Sequence, residues 1–170
     1  MSGLLVRRAT PADFPAVARL TVAAYEADGQ LKGEHGYAAT LADVATRAEH
    51  GEVLVAVDEA TGETLGSVTF VLPGTRYAEL SAAGEAEFRM LAVDPAAQGR
   101  GVGAALVDAC VARATELGCS AVVICVRSGF AATAHRLYQR RGFVRTPELD
   151  WSPVPGVELL GLRLDLTPAG

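Results

Sequence analysis

The sequence predicts a mixed α/β protein of the α+β type, with a central β-sheet of about seven strands flanked by about four helices. Apolar segments of strand length alternate along the chain with segments whose apolar residues recur every three or four positions. The strand-rich first half is followed by a βαβαβ order. The chain has 170 residues, half of them hydrophobic, and so can bury a full-sized core as a single domain spanning residues 1–170.

The N-terminal part is expected to form one strand and two helices. Residues 3–8 have the composition of a first strand, and Thr10 and Asp13 then occupy the two positions of a helix-capping box around Pro11. An amphipathic helix is therefore predicted directly after Thr10. A polar, glycine-containing loop separates it from a second helix over residues 37–48.

A hairpin and a further strand complete the first half. Residues 52–58 and 64–72 are rich in Val and Thr and flank a short ATG turn, which is typical of a β-hairpin. Residues 73–86 show no clear period and are predicted to form a loop that lines an entrance. Residues 87–93 are the predicted fourth strand.

Glycines mark the ends of the helices in the second half. The predicted elements are a helix over 101–117 ended by Gly118, a fifth strand over 121–126, a helix over 130–140 ended by Gly142, and strands over 143–145 and 157–166. Residues 151–156, WSPVPG, are predicted to form a loop inside the domain.

Composition argues against several classes of protein. The formal net charge of −5 offers no broad basic surface for a nucleic-acid backbone. No stretch approaches the roughly 20 apolar residues that span a bilayer, and the N-terminus has no signal-peptide core, so a cytoplasmic location is expected. Cys110, Cys119 and Cys125 lack metal-ligand spacing, which favours buried reduced thiols and no metal site.

Three glycines lie where the fourth strand must connect to a helix, in the segment QGRGVGAAL at 98–106. Gly99, Gly101 and Gly103 can adopt backbone angles that direct successive N–H groups into one concavity at a helix N-terminus. Arg100 could add a positive charge at its rim. The segment therefore predicts a pyrophosphate site, whereas a merely tight turn seldom needs three glycines. The dinucleotide-binding fingerprint fits less well, because four further residues separate the strand from the turn.

Residues 87–144 resemble the core of the GCN5-related N-acetyltransferases (GNAT family). The family signature [Q/R]-x-x-G-x-[G/A] is matched by Gln98, Gly101 and Gly103, and LYQRRGF at 137–143 is similar to the family's LYxxxGF. The two motifs occur in the expected order. The resemblance implies the GNAT fold, splayed between strands four and five, with acetyl-CoA as co-substrate and no metal.

The resemblance also implies which residues contact the cofactor. The coenzyme A pyrophosphate would lie on the glycine turn and the pantetheine arm along strand four, and the N–H of Leu91 would stabilise the oxyanion formed as the amine attacks. The implied cofactor-binding residues are Leu91, Ala92, Val93, Gln98, Gly99, Arg100, Gly101, Val102, Gly103 and Ala104.

Two side chains are implied to take part in the chemistry. Tyr138 matches the family tyrosine that acts as general acid towards the coenzyme A sulfur, and Glu87 stands where some members carry a base acting directly or through water. Glu85 or a water network is the alternative base. Ala131 departs from the family, in which many members have an asparagine at this position and contact pantetheine with it.

The expected reaction is acetyl transfer from acetyl-CoA to a primary amine by direct attack in a ternary complex. The acceptor would be a small molecule or a peptide amine, and the resemblance extends the expected partners to a second copy of the chain. Six carboxylates in the expected acceptor region favour a cationic amine: Glu26, Asp28, Glu34, Glu79, Glu85 and Glu87. A longer acyl-CoA, an O-acceptor, or a non-catalytic coenzyme A-binding sensor remain alternatives.

Overall fold

The computed structural model describes residues 3–31, 36–129 and 131–166. The strands are Leu4–Arg8 (β1), Glu52–Asp58 (β2), Thr64–Val71 (β3), Glu85–Val93 (β4), Ala121–Arg127 (β5), Val144–Arg145 (β6), Trp151–Val154 (β7) and Val157–Asp165 (β8). The helices are Phe14–Ala27 (α1), Tyr37–Ala42 (α2), Val44–His50 (α3), Val102–Glu116 (α4) and Ala132–Arg140 (α5). Among these residues no helix combines the length and the apolar character needed to cross a membrane.

The mixed α/β fold predicted from the sequence is confirmed. The described chain forms one eight-stranded sheet in the order β1-β2-β3-β4-β5-β8-β6, with β7 paired to β8. All neighbouring strands are antiparallel except β4 and β5. The predicted capping box at Thr10 and Asp13 is also present.

Three predicted boundaries differ from the structure. The helix expected over 37–48 is divided at Asp43, whose backbone leaves the helical region and whose carboxylate caps α3 by accepting from Thr46 N–H at 3.3 Å. The strand expected from residue 87 begins at Glu85. Residues 151–154 form β7 rather than a loop, and Pro153 is tolerated there because β7 pairs only with β8. The predicted start of α5 at Phe130 lies outside the described residues.

The two faces of the sheet bury separate apolar clusters, as the alternation along β2 shows. Ala56 belongs to the cluster under α4, whereas Val53 and Val55 pack with Val17 of α1 on the opposite face. Gly66 of β3 lets α4 approach closely, because a Cβ there would lie 2.6 Å from Val102 Cγ1. Helix α4 and its N-terminal turn are thereby fixed against β3 and β4.

Strands β4 and β5 diverge along their length. They pair only through Glu85–Glu87 against residues 121–123, and beyond these residues β4 keeps only its partner β3 and β5 only its partner β8. A bulge in β4 follows, since residues 67 and 69 of β3 face residues 92 and 89 of β4 and the backbone of Met90 has a φ of 56°. The divergence opens a gap in the sheet, as the resemblance implied.

Candidate active site

The gap between β4 and β5 opens on one side into a cavity of about 490 Å³, here called the aromatic cavity. Strands β4, β5 and β7, helices α1, α2 and α5 and the loop after β3 all contribute to its walls. Its aromatic side chains are Tyr25, Tyr37, Tyr77, Phe88, Tyr138 and Trp151. Such a concave, mainly apolar surface suits a small organic molecule.

A second cavity of about 450 Å³, the glycine cavity, lies beside α4. It is lined by residues 91–93 of β4, by the glycine turn and by the first residues of α4. Five residues line both cavities: Tyr25, Gln30, Leu91, Ala131 and Ala134. The two cavities therefore adjoin at the point where β4 leaves β5, and one extended molecule can occupy both.

The three glycines of the turn serve two different purposes. Gly99 and Gly101 have φ values of 83° and 78°, and a Cβ on either would meet nothing within 4 Å, so glycine is needed for its backbone conformation. Gly103 has an ordinary φ, and a Cβ there would lie 3.0 Å from Leu137 Cδ2. Gly103 thus serves close packing between α4 and α5.

Backbone donors at the start of α4 face the glycine cavity without a helical partner. The first hydrogen bond of the helix runs from Ala105 N–H to the carbonyl of Gly101, at 3.0 Å. The N–H groups of Val102, Gly103 and Ala104 precede it, and all three residues line the cavity. Together with the helix dipole they provide the environment that an anion requires.

Arg100 does not line the glycine cavity. Its guanidinium donates to Asp58 at the end of β2, at 2.8 Å, and this bond holds the pKa of Asp58 below its usual range. Arg140 of α5 lines the cavity instead. The sequence analysis missed Arg140, although its position three residues after Leu137 places it on the helix face that packs towards Gly103.

Leu91, Ala92 and Val93 present one open backbone edge to the gap. Ala92 and Val93 pair with Ser67 and Gly66 of β3, but no described strand pairs with these residues on the β5 side. Leu91 follows the bulge at Met90 and lines both cavities. An extended chain with amide groups can therefore add to this edge as a further strand does.

Tyr138 of α5 lines the aromatic cavity. Its ring packs edge-on against Phe88 at 5.8 Å and near Phe143 at 5.9 Å, and only 5% of the residue is exposed. Burial raises the pKa of its hydroxyl, so the group stays protonated at physiological pH. The hydroxyl makes no hydrogen bond to a described residue and is available to a ligand in the aromatic cavity.

Glu87 is completely buried and does not line either cavity. Its carboxylate accepts hydrogen bonds from the N–H groups of Glu79, Leu80 and Ser81 at 3.0–3.1 Å, and from the Ser81 hydroxyl at 3.1 Å. Glu87 therefore fixes the 79–81 segment at the edge of the aromatic cavity. Its role as a base stays a prediction.

The remaining predicted carboxylates are dispersed. Of these carboxylates, only that of Glu79 lines the aromatic cavity among the described residues. Glu85 pairs with Arg163, and Glu26 is exposed on α1. Asp28 lines the glycine cavity and accepts from the N–H of Ala131 at 2.7 Å. Glu34 lies outside the described residues.

Ala131 occupies a backbone conformation that alanine rarely adopts. Its φ is 56° and its ψ 34°, in the left-handed region, at the N-cap of α5. Asparagine is among the few side chains that tolerate this region. The left-handed backbone at residue 131 would therefore favour the asparagine that many family members have at this position.

No group of three or more His, Cys, Asp or Glu side chains is placed to hold a metal ion in the part of the chain that the structure describes. The three cysteines are free, and burial raises the pKa of Cys125, in the aromatic cavity, to about 11.

The sheet is opened between two parallel strands, with a glycine turn and a helix N-terminus beside the opening, which is the arrangement that the resemblance to acetyltransferases implied. A model of the Acetyltransferase (GNAT) family matches residues 15–143. The chain belongs to this family, whose members use acetyl-CoA.

Solved structures share this fold over nearly the whole chain. A GCN5-related N-acetyltransferase from Kribbella flavida is 31% identical, with 96% of this chain and 98% of that chain covered and a TM-score of 0.69. The ribosomal-protein-S18-alanine N-acetyltransferase of Escherichia coli is 18% identical, with coverage of 99% and 97% and a TM-score of 0.70. YncA of Salmonella typhimurium, solved with its cofactor acetyl-CoA, is 24% identical, with coverage of 96% and 94% and a TM-score of 0.68. No curated protein matches the chain significantly.

Proposed function

We propose that the protein transfers the acetyl group of acetyl-CoA to a primary amine, which attacks the thioester directly in a ternary complex. The observation that carries this proposal is the junction of the two cavities, where the N–H groups at the start of α4 and the side chain of Tyr138 lie on either side of one gap in the sheet. One side of the gap suits coenzyme A and the other suits an acceptor.

Coenzyme A would bind mainly through the backbone. Its pyrophosphate would accept from the N–H groups of residues 102–104, with Arg140 supplying a positive charge. The pantetheine amides would pair with the open edge of β4 at residues 91–93. The acetyl group would then lie near Leu91, which lines both cavities.

The chemistry requires a proton to leave the amine and another to reach the departing sulfur. The amine nitrogen would form a bond to the acetyl carbon, and the Leu91 N–H would stabilise the resulting oxyanion. As the carbon–sulfur bond breaks, the protonated Tyr138 hydroxyl would donate to the thiolate. One proton of the ammonium would leave through water to bulk solvent, since Glu87 lines neither cavity. The second proton of the attacking nitrogen would return to Tyr138, directly or through water, and so regenerate its hydroxyl.

Thiol release, measured with Ellman's reagent over a panel of primary amines, tests the proposal. Replacing Tyr138 by Phe should lower kcat by about 10²-fold or more, as expected for loss of a general acid, with little change in acetyl-CoA affinity. Calorimetric titration with acetyl-CoA serves as the folding and binding control. Unchanged turnover in the Tyr138→Phe variant would remove Tyr138 from the mechanism.

The same assay separates the alternatives. Propionyl-CoA and longer donors compared with acetyl-CoA report acyl preference, and alcohols compared with amines report the acceptor atom. Acetyl-CoA binding without amine-dependent thiol release would instead support a non-catalytic sensor.

A further inference from the structure

We propose that the acceptor is an amine that also carries a carboxylate and an apolar body, as a free apolar amino acid does. This inference rests on the proposed acetyl transfer and names its substrate class. It differs from the cationic acceptor that the carboxylates of the sequence favour.

The charged groups on the wall of the aromatic cavity are mainly arginines. Arg76, Arg89 and Arg127 line it, against a single described carboxylate, that of Glu79. They come from the loop after β3, from β4 and from the end of β5, so three separate elements contribute a guanidinium to one cavity. Of the six acidic residues that the sequence suggested for the acceptor region, only Glu79 contributes a carboxylate to this wall among the described residues.

Arg89 is fixed in position by its neighbours. Its side chain is 15% exposed and donates to the carbonyl of Tyr77 at 3.1 Å, while the Glu79 carboxylate lies 3.6 Å away. The ion pair with Glu79 offsets one positive charge. Among the side chains that line the cavity, Arg76 then leaves an excess of positive charge, which the nearby Asp43 carboxylate and the buried Glu87 carboxylate reduce.

Arg76 is exposed and is held over the ring of Tyr77, with its guanidinium carbon 5.8 Å from the ring centroid. Its side chain makes no hydrogen bond to a described residue. A guanidinium stacked on an aromatic ring keeps its edge free, and that edge matches the two oxygens of a carboxylate. Arg76 is therefore the group that we expect to bind the acceptor carboxylate directly.

The same charges act on the reacting amine. A positive field disfavours the ammonium form of a nearby amine, and only the neutral amine attacks a thioester. A polyamine would bring further positive charge into this field, whereas the carboxylate of an amino acid compensates it. The aromatic walls, including Tyr25 and Tyr37 with ring centroids 6.0 Å apart, favour an apolar remainder.

The test compares matched acceptors. Leucine, methionine and phenylalanine are each assayed beside the corresponding amide and the corresponding decarboxylated amine, with spermidine as a polycation. We expect kcat/KM for at least one amino acid to exceed that for its amide and its amine by about tenfold or more. In the Arg76→Ala variant this ratio should approach one, whereas Arg8→Ala, which removes an exposed arginine on β1 outside both cavities, should preserve it.

A binding measurement separates this inference from the proposed function. The N-acetyl amino acids and their amides are titrated calorimetrically into the protein saturated with coenzyme A, which requires no turnover. Binding that depends on the carboxylate and on Arg76, without turnover of any amine, would uphold the carboxylate site and overturn acetyl transfer. Efficient acetylation of the decarboxylated amines, or an unchanged ratio in Arg76→Ala, would overturn the carboxylate site and uphold acetyl transfer. The absence of both turnover and carboxylate-dependent binding would overturn acetyl transfer and the carboxylate site together.

Discussion

Replacing Glu87 by Gln distinguishes a structural carboxylate from a catalytic base. The carboxylate accepts from four donors, namely the N–H groups of Glu79, Leu80 and Ser81 and the Ser81 hydroxyl. Glutamine has nearly the same shape but only one accepting oxygen. Its amide nitrogen would face the Glu79 N–H, which also approaches the second carboxylate oxygen at 3.1 Å.

The magnitude follows from these contacts. A hydrogen bond to a charged acceptor contributes roughly 1.5–3 kcal/mol and one between neutral groups roughly 0.5–1.5 kcal/mol, so each of the four bonds weakens by about 1 kcal/mol. The effects are not fully additive, and we expect a loss of about 2–4 kcal/mol in the free energy of unfolding. For a chain of this length, that corresponds to a fall in Tm of about 5–15 °C.

Thermal unfolding followed by circular dichroism measures the loss. Glu63→Gln is the matched control, because Glu63 is exposed and its side chain makes no hydrogen bond to a described residue. Thiol release between pH 6 and 10 is measured on both variants. A structural role predicts a lowered Tm and a pH–rate profile of unchanged shape. A Tm within about 2 °C of the parent, together with a loss of kcat above 100-fold, would refute this reasoning and identify Glu87 as the base.

Three further substitutions probe the backbone and one ion pair. Ala131→Asn should stabilise the protein by about 1 kcal/mol, because asparagine tolerates the left-handed region, and a lower Tm by calorimetry would contradict this. Gly101→Ala should destabilise the protein by about 1–2 kcal/mol, because alanine disfavours the φ of 78° at this position and the added Cβ meets no atom within 4 Å. The same change should weaken acetyl-CoA binding, and an unchanged affinity would place the phosphate elsewhere. The hydrogen bond from Arg7 lowers the pKa of Asp13 to about 2, so its stabilisation is present above pH about 4 and is lost as the pH falls towards 2. Asp13→Asn should remove that slope in urea unfolding between pH 2 and 5, and an unaltered slope would exclude the pair as its source.

The elements that the sequence predicted well are those specified by local signals. Helix α4 runs from Val102 to Glu116, within the limits that Gly101 and Gly118 set, because both glycines have positive φ values of 78° and 75°. The hairpin of β2 and β3 follows from alternating apolar residues on either side of a short turn. Local conformational preferences are sufficient in these places.

The chemistry of the site depends on contacts between distant parts of the chain, which no local pattern contains. Arg100 pairs with Asp58, 42 residues away, rather than lining the glycine cavity. From the sequence, the acidic residues of the loops were expected to surround the acceptor. The wall of the aromatic cavity instead carries three arginines and one described carboxylate. Which side chain of a loop points inwards is decided by its tertiary neighbours, so charge counts along a sequence do not give the charge of a cavity.

The bulge at Met90 connects the fold to the site through one extra residue. Before the bulge, Ala86 and Phe88 face the α4 side of the sheet; after it, Leu91 and Val93 do so, because the extra residue reverses the alternation. A methionine at a φ of 56° is strained by roughly 1–2 kcal/mol, whereas burial of a methionine side chain contributes about 2–5 kcal/mol. Met90 is 4% exposed and packs with Leu41 and Tyr77. Packing therefore outweighs the strain and holds the backbone that turns Leu91 towards the gap.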